Sequence, residues 1–359
     1  MKHKIATLGS HSALDVCEGA KTEGYKTLVV AQPGRERTYT EYRTRKRDGR
    51  EIGVVDEIIL LTHFRDILER RNQEKLEGSI FVPNRSFAVY VGYDAIEKDF
   101  TVPVFGNKFL LRAEERDAAK NQYHIMKKAG IRTPKKITDP KKIDRLCIVK
   151  VSEATRNYER AFFLVRTYEE YLAKSQAMMV SGHITRNDLD KATIEEYIVG
   201  AHFNLNFFYS PLQNELELLG IDMRRQTNID GYLRMPADIQ LEALKMAQPS
   251  TIEVGHIACT LRESLLEQVF DLGWKFVKAA GSEYKKGIIG PFALQGAFVE
   301  EGKEEFVCFD VSTRMPGSPG TRFTPYSAYL HRESISFGRR IAMEIKDAEQ
   351  KKRIEDITT

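Results

Sequence analysis

The sequence predicts a mixed α/β and α+β protein, in which a lobe with a parallel sheet precedes a larger body of antiparallel strands and helices. In the first third of the chain, short apolar strands alternate with an amphipathic helix, as in βαβ units. Further on, pairs of apolar segments are separated by turn residues, which indicates hairpins. At 359 residues the chain exceeds the usual limit of one hydrophobic core, so several sub-domains are expected.

The N-terminal lobe begins with a βαβ unit. Lys4–Leu8 is predicted as a strand, Ala13–Ala20 as a helix and Lys26–Ala31 as the next strand, which together imply a parallel sheet. Further strands are predicted at 57–61, 79–82 and 88–91. Because open parallel sheets bind ligands at the carboxyl ends of their strands, the turns 9–11 and 83–86 are expected on one ligand-facing rim.

The body is predicted to start with one long charged helix, 108–130, which Gly130 ends. The elements predicted after it are strands at 146–151, 162–165, 192–199, 203–209 and 216–222, and helices at 168–178, 262–280 and 335–345. The prediction divides the chain into an N-terminal lobe (1–110), a small sub-domain (111–200) and a large sub-domain (201–359).

Composition narrows the function classes. A net charge of +4 over this length does not indicate a nucleic-acid or membrane surface, although anionic small molecules would be favoured. The apolar runs are too short to span a bilayer, and the N-terminus does not resemble a signal peptide. The four cysteines are scattered and form no CxxC pair, so neither a zinc site nor a disulfide framework is indicated. The expected location is the cytoplasm.

Two adjacent predicted strands carry one oxygen ligand each. Gln295 ends the apolar run Gly290–Leu294, and Asp310 interrupts the apolar segment 306–311. A carboxylate in an apolar strand is costly unless something pairs with it, and Mg²⁺ bound to nucleotide phosphates is a suitable partner. A hairpin whose polar side chains face solvent explains this pair of residues equally well.

Two further segments have a possible nucleotide-binding role. Lys150 ends an apolar strand and could supply a positive charge to a phosphate, but a lysine at the edge of a sheet is the simpler explanation. Glu195, Glu196, Tyr197 and Ile198 could present backbone groups to an adenine and a carboxylate to a ribose. An exposed acidic turn is an equal alternative for that segment.

The order of these elements is that of an ATP-grasp domain: a strand ending in lysine, a hairpin, a helix, an acidic-aromatic strand, and two strands with Gln and Asp. Eight motifs in order along nearly the whole chain resemble the archaeal PurP family of ATP-grasp proteins. They are Thr7–Ser12, Val82–Phe87, Val102–Asn107, Ile194–Gly200, Phe208–Leu212, Thr227–Gly231, Arg262–Leu266 and Ile289–Gln295. The resemblance implies an ATP-grasp fold preceded by the parallel βαβ lobe.

The resemblance also implies an activity. PurP proteins are ATP- and formate-dependent ligases that convert the purine intermediate AICAR to FAICAR through formyl phosphate, in purine (IMP) biosynthesis. ATP, formate and AICAR are therefore the expected small-molecule ligands, with Mg²⁺ as the metal and Mn²⁺ as an alternative. The family is associated with homo-oligomers, so self-association is expected as well.

Individual residues match the motif positions of the family. His11, Ser86 and Asn228 match positions that contact AICAR. Lys150 and the segment from Glu195 through Glu196 and Tyr197 to Ile198 match positions that contact ATP, and Gln295 and Asp310 match the metal positions. His11 and Lys150 are the candidate catalytic residues. The family usually has Glu at the position of Asp310, so the shorter side chain implies a shifted metal or a bridging water.

Two loops depart from the family pattern. After Lys150 the family has a glycine-rich loop over the ATP phosphates, whereas Val151–Ala161 contains no glycine. The segment 315–321 contains prolines where a glycine-rich run is expected. Two alternatives to the ligase therefore stay open, namely a nucleotide-binding paralogue with weak or no ATPase activity, and an ATP-grasp carboxylate–amine ligase with a related substrate.

Overall fold

Four β-sheets and the helices packed on them make up the described part of the chain. The structure is a computed structural model that describes residues 3–115, 118–151, 162–247, 251–300, 302 and 304–359. The strands are β1 (Lys4–Leu8), β2 (Lys26–Ala31), β3 (Arg45–Arg47), β4 (Arg50–Ile52), β5 (Glu57–Leu60), β6 (Ser79–Val82), β7 (Lys136–Ile137), β8 (Cys147–Lys150), β9 (Phe162–Val165), β10 (Thr193–Glu196), β11 (Ala201–Ser210), β12 (Glu215–Thr227), β13 (Thr251–Cys259), β14 (Gly290–Glu300) and β15 (Glu304–Ser312).

The helices pack on these sheets or connect their strands. They are α1 (Ala13–Thr22), α2 (Arg37–Glu41), α3 (Arg70–Glu74), α4 (Arg85–Val91), α5 (Tyr93–Lys98), α6 (Gln122–Lys128), α7 (Tyr168–Val180), α8 (Arg186–Asp190), α9 (Ile229–Leu233), α10 (Ala237–Met246), α11 (Leu266–Glu283), α12 (Tyr326–His331), α13 (Phe337–Lys351) and α14 (Ile354–Ile357). In the described residues, none of these helices is long and apolar enough to cross a bilayer.

The N-terminal lobe contains a four-stranded parallel sheet in the order β5-β2-β1-β6. The predicted βαβ unit is confirmed. The strand predicted at 88–91 is wrong, because these residues form the end of helix α4. The side chain of Asn84 accepts a hydrogen bond from the backbone N–H of Phe87 and starts this helix, and Phe87, Ala88 and Val91 are buried on one side of it. A short apolar run fits both a strand and a buried helix, so periodicity alone did not decide.

The small sheet is antiparallel, in the order β7-β10-β8-β9, as the predicted strands 146–151 and 162–165 required. The single long helix predicted at 108–130 is wrong. A 3₁₀ turn covers 111–114, and α6 starts anew at Asn121, whose side chain accepts from the backbone N–H of His124. A new N-cap inside a charged segment therefore divides what composition suggested was one helix.

The large sheet has five antiparallel strands in the order β13-β12-β11-β14-β15. One face packs on α11, where the rings of Phe207, Phe276 and Phe292 stack. On the other face of the sheet, the side chains of β11 lie in two different environments, one packed against α13 and one polar. Phe208 and Ser210 pack towards α13 and the N-terminal lobe, whereas Asn204 and Asn206 belong to a polar region further along the sheet. This second face therefore carries both the lobe contact and the candidate site.

Helix α13 connects the N-terminal lobe to the large sheet. It packs so closely on α1 that a Cβ on Gly338 would lie 1.9 Å from the carbonyl oxygen of Asp15. On its other side Arg340 is buried, donates to Glu217 on β12 at 2.8 Å, and lies 4.1 Å from the ring centre of Phe208. These contacts fix how the lobe stands on the sheet. The division of the chain at residues 110 and 200 stays a prediction.

We expect Asp15→Asn to stabilise the protein near pH 7.5. Burial raises the pKa of Asp15 from 3.8 to about 6, so its charged form is disfavoured in the folded state. Because the folded pKa lies above the unfolded one, the cost is absent below about pH 4, grows as the pH rises, and is complete above about pH 6. Two pKa units correspond to about 3 kcal/mol. Urea unfolding at pH 7.5 and 4 measures the change, with the exposed Asp99→Asn as control. An equal gain at both pH values would contradict this explanation.

Candidate functional site

Gln295 and Asp310 are direct cross-strand partners. In the antiparallel pair of β14 and β15, Gln295 lies opposite Asp310. The same row continues across the sheet, since Asn204 on β11 lies opposite both Gln295 and Asp222 on β12. Directly opposed residues point to the same face, so Asp222, Asn204, Gln295 and Asp310 form one polar row. At the usual spacing of strands this row is about 14 Å long.

Asp222 is the buried end of the polar row. Its carboxylate accepts hydrogen bonds from Asn204 at 2.7 Å and Asn206 at 2.6 Å, and lies 2.5 Å from Nδ1 of His256 on β13. Burial by itself would raise the pKa of Asp222, but His256 and the two amides outweigh burial, and the pKa is lowered. The carboxylate is therefore ionised at neutral pH.

The metal candidates at the other end of the row have protein partners. Gln295 Oε1 accepts from Arg224 Nη2 at 2.5 Å, and Gln295 Nε2 donates to Ser312 at 3.0 Å. Half-buried Asp310 accepts from Gln122 Nε2 at 3.0 Å. One carboxylate and one amide oxygen side by side suit a hard cation that takes its remaining ligands from phosphate and water. Among the described residues, no cluster of three or more His, Cys, Asp or Glu could hold a metal by itself.

The small sheet approaches this end of the row through Lys150. Lys150 Nζ lies 5.9 Å from the ring centre of Phe309, the residue next to Asp310. On the same side, Ile198 packs in an apolar cluster with Ala297, to which Phe309 adds its ring. A flat apolar surface beside a cation is the environment that a nucleotide base and its phosphates need.

The two glutamates of β10, Glu195 and Glu196, are held within the small sub-domain. Glu195 is fully buried and accepts from Lys150 Nζ at 2.6 Å, so its carboxylate neutralises the lysine and does not face a ribose. Glu196 accepts from the backbone N–H of Lys135 at 3.3 Å, and the backbone N–H of Tyr197 donates to Leu146 at 2.9 Å. Side chains and backbone therefore both fix β10 and the residue that follows it.

The predicted rim lies at the carboxyl ends of β1 and β6. Ser86 Oγ donates to Ser10 Oγ at 2.6 Å, and Asn84 Nδ2 donates to the carbonyl of Leu8 at 2.8 Å, so the two turns are bonded to each other. Exposed His11 stands in the first of these turns. A cavity of about 540 Å³ opens beside it, lined in part by Tyr39 and Arg322.

The segment 315–321 lies between the rim and the polar row. Ser12 Oγ donates to the carbonyl of Pro316 at 2.8 Å, and a Cβ on Gly317 would lie 3.3 Å from Nδ1 of His11. Next to it, Ser318 Oγ lies 3.2 Å from Nδ1 of His256. His11 and His256 therefore contact neighbouring residues of one segment.

Not every predicted site residue is brought to this place by the contacts described. Asn228 follows the last residue of β12 and stands at the N-cap position of α9, at the base of the arm formed by β12, α9, α10 and β13. The glycine-free segment after Lys150 lies outside the described residues, apart from Val151.

Several residues of the polar region were missed by sequence reasoning. They are Gln122, Asn204, Asn206, Asp222, Arg224, His256 and Ser318. Asn204 and Asn206, like Asp222 and Arg224, are two residues apart in apolar strands, and polar side chains at this spacing point to one face. That period could have identified β11 and β12 as lining a site. Nothing in the sequence indicated that His256 pairs with Asp222.

Comparisons with known proteins show the family to which the chain belongs. A protein 42% identical to this chain over 360 residues (99% of this chain, 94% of the relative) is the 5-formaminoimidazole-4-carboxamide-1-(beta)-D-ribofuranosyl 5'-monophosphate synthetase of Methanothermobacter thermautotrophicus. The chain belongs to this family of synthetases. Two family models also match, a "Domain of unknown function (DUF1297)" at residues 170–359 and a "Protein of unknown function (DUF1246)" at residues 5–137.

Solved structures extend the family match to the fold. An IMP biosynthesis protein PurP from Thermococcus kodakaraensis superposes with a TM-score of 0.73 at 30% identity, covering 99% of this chain and 100% of that one. A biotin carboxylase from Campylobacter jejuni superposes with a TM-score of 0.59 at 16% identity, covering 97% of this chain and 71% of that one, which shows a shared fold. The predicted PurP resemblance and ATP-grasp fold are confirmed.

We expect Lys150→Met to destabilise the small sub-domain by about 3–5 kcal/mol, because it leaves the buried carboxylate of Glu195 without its cation. The double variant Lys150→Met/Glu195→Gln removes both charges and should recover most of that lost stability. The affinity for ATP should be weakened in the single variant and in the double variant alike. Thermal unfolding and nucleotide titration measure the two effects separately. A double variant that regains ATP affinity would contradict a phosphate-binding role for Lys150.

Proposed function

We propose that this protein is an ATP-dependent ligase that formylates AICAR to FAICAR, with formate as the formyl donor. In this reaction ATP phosphorylates formate to formyl phosphate, and the 5-amino group of AICAR then attacks the acyl carbon. Membership in a family whose relatives carry the synthetase name supports this activity. The protein's part in such a reaction is positioning and electrostatics rather than covalent catalysis.

The polar row is the observation that carries this proposal. It joins a pair of metal-type oxygen ligands, Gln295 and Asp310, to a buried polar end at Asp222 on one face of the sheet. Its length of about 14 Å suits a chain of reacting groups from a nucleotide phosphate to an acceptor. Lys150 adjoins one end, and the rim with His11 lies beyond the other.

The residues at the Gln295–Asp310 end of the polar row suit Mg²⁺ and ATP. Asp310 and the amide oxygen of Gln295 would hold the cation, which when bound neutralises charge on the transferred phosphoryl group. Arg224 donates to Gln295 Oε1 and so adds, besides Lys150, a second positively charged side chain at the proposed metal site. Ile198, with Ala297 and Phe309, offers the apolar surface for the base.

The residues beyond the Asp222 end of the polar row suit AICAR, the acceptor of the formyl group. The rim with His11 and Ser86 would hold AICAR, and the 540 Å³ cavity beside His11 has room for a ribonucleotide. Asn228 is proposed to contact the same ligand on the strength of its motif, Thr227–Gly231. The cytoplasmic location and the homo-oligomer stay predictions, although large apolar side chains of the arm such as Met246, Val254 and Leu233 are exposed and would suit self-association.

One sequence feature favours a second candidate function. The segment Val151–Ala161 lacks the glycines that let a backbone approach phosphates closely. A paralogue that binds the purine nucleotide but turns over little ATP would fit that change. Such a protein should keep its affinity for AICAR and release no ADP.

The deciding experiment is an ADP-release assay with AICAR, formate, ATP and Mg²⁺, in which each component is omitted in turn. The ligase predicts FAICAR and ADP in equal amounts only when all four are present. ADP release by the complete mixture without formation of FAICAR, or turnover with another carboxylate or amine in place of formate or AICAR, would indicate a different ligase. No ADP release together with intact AICAR binding would identify the paralogue.

We expect Asp310→Ala to lower formation of FAICAR by at least about 100-fold through loss of the metal, since Asp310 is the one carboxylate that the described residues are proposed to supply to the cation. AICAR affinity should change little, because the rim is a separate part of the site. Steady-state rates over a range of Mg²⁺, and calorimetric titration with AICAR, measure both. Asp271→Ala, on an exposed part of α11, is the matched control. Unchanged ADP release by Asp310→Ala would contradict the metal assignment.

We expect Asn228→Ala to weaken the binding of AICAR by about 1–3 kcal/mol while the affinity for ATP stays the same, because a polar group of the bound ligand that loses its protein partner costs about that range. Parallel titrations with the two nucleotides measure the difference. Asn187→Ala, at an exposed position of α8, is the control for unspecific effects of removing an asparagine side chain. Equal losses for both ligands would contradict a specific role in AICAR binding.

A further inference from the structure

A histidine–aspartate pair, His256 and Asp222, stands on the site face of the large sheet. Nδ1 of His256 lies 2.5 Å from Asp222 Oδ2, and the side chains are 13% and 1% exposed. Asn204 and Asn206 each donate to the same carboxylate, so its position is fixed from two more directions. Nothing in the fold alone requires this arrangement, since a buried carboxylate with three partners costs desolvation that an apolar pair would avoid.

The surroundings decide which nitrogen of His256 carries the proton. An ionised carboxylate only accepts hydrogen bonds, so Nδ1 must be the donor to Asp222. In the neutral ring the basic lone pair is then on Nε2. The charged groups on the elements packed against β13 include Arg224, which lies opposite His256 on β12 and donates to Gln295. They also include Arg225 on β12, which pairs with Asp230, and Arg322, which pairs with Glu18.

The His256–Asp222 pair lies between the proposed AICAR site at the rim and the proposed metal site at Gln295 and Asp310. Ser318 joins it to the segment that contacts His11, and Asp222 and Asn204 join it along the polar row to Gln295. An acceptor amine held at the rim and an acyl phosphate formed at the metal end must meet in this interval. The amine has to lose a proton there, because acyl transfer otherwise leaves a positively charged nitrogen on the product.

We infer that His256 is the general base of acyl transfer and that Asp222 is the residue that positions it. The lone pair of the amine nitrogen forms the new C–N bond to the formyl carbon. The bond from that carbon to the phosphate oxygen breaks, and its electron pair leaves with inorganic phosphate. The proton released by the nitrogen goes to Nε2 of His256, whose imidazolium Asp222 stabilises. The inference rests on the proposed function.

The experiment separates formation of formyl phosphate from its transfer. Hydroxylamine traps formyl phosphate as formohydroxamate, which reports the first step without AICAR, and FAICAR formation reports both steps. For His256→Asn we expect FAICAR formation to fall about 100-fold or more, the range of a general base. Formohydroxamate formation and AICAR affinity should stay within about twofold of the wild type. Asp222→Asn should show the same split with a smaller loss, and added imidazole should partly restore transfer by His256→Ala.

Controls distinguish the possible failures. The same change at an exposed histidine of the N-terminal lobe, His63→Asn, should leave both steps unchanged. Normal FAICAR formation by His256→Asn would overturn the inference and leave the proposed function standing. Equal loss of both steps or of AICAR affinity, with no rescue by imidazole, would also overturn it, because it would show a structural role. A wild type that forms formohydroxamate but never FAICAR would contradict the acceptor in the proposed function, and with it this inference.

Discussion

The rest of the structure depends on the buried ion pair between Arg340 on α13 and Glu217 on β12. Arg340 is 7% and Glu217 4% exposed, and Glu344 accepts from the same guanidinium at 2.9 Å. Charges so deeply buried are costly unless all partners are present, and removal of one costs about 3–5 kcal/mol. The pair therefore holds α13 to the large sheet in one orientation. Because α13 also packs on α1, that orientation fixes the distance from the rim to the polar row.

The polar row depends in turn on the register of four strands. A shift of one residue in any pair would turn its polar side chain to the face covered by α11, where it would be buried without partners. The apolar residues between the polar ones prevent this, since Leu205 and Leu294 pack into the core below. The hydrophobic core and the candidate site therefore specify the same register. Two charged groups of the site, Lys150 and Glu195, compensate each other. Asp222 accepts hydrogen bonds from His256 and two amides, and Arg224 donates to the neutral amide of Gln295.

Prediction from sequence succeeded where the local pattern had one interpretation. The strands β1, β2 and β6 were located to the residue, because apolar runs were bounded by turn residues. It failed where composition fitted two structures, as in α4 and in the segment 108–130. In both places an N-cap asparagine determines where the helix starts. For the site, the opposition of Gln295 and Asp310 and the rim of His11 and Ser86 were anticipated. The burial of Glu195 against Lys150 was not, since a strand's sequence does not show which neighbour it faces.

By itself, the sequence determined the order of elements, the family, and the residue types available for metal and nucleotide binding. These are local properties, written in periodicity, turn residues and motifs. Only the tertiary structure decided that residues as distant in the chain as His256, Asp222 and Ser318 meet, and that Arg224 turns to Gln295. Such contacts arise from strand register and from the docking of α13, which depend on long-range packing. The proposed ligase chemistry therefore rests on sequence for its parts and on the fold for their arrangement.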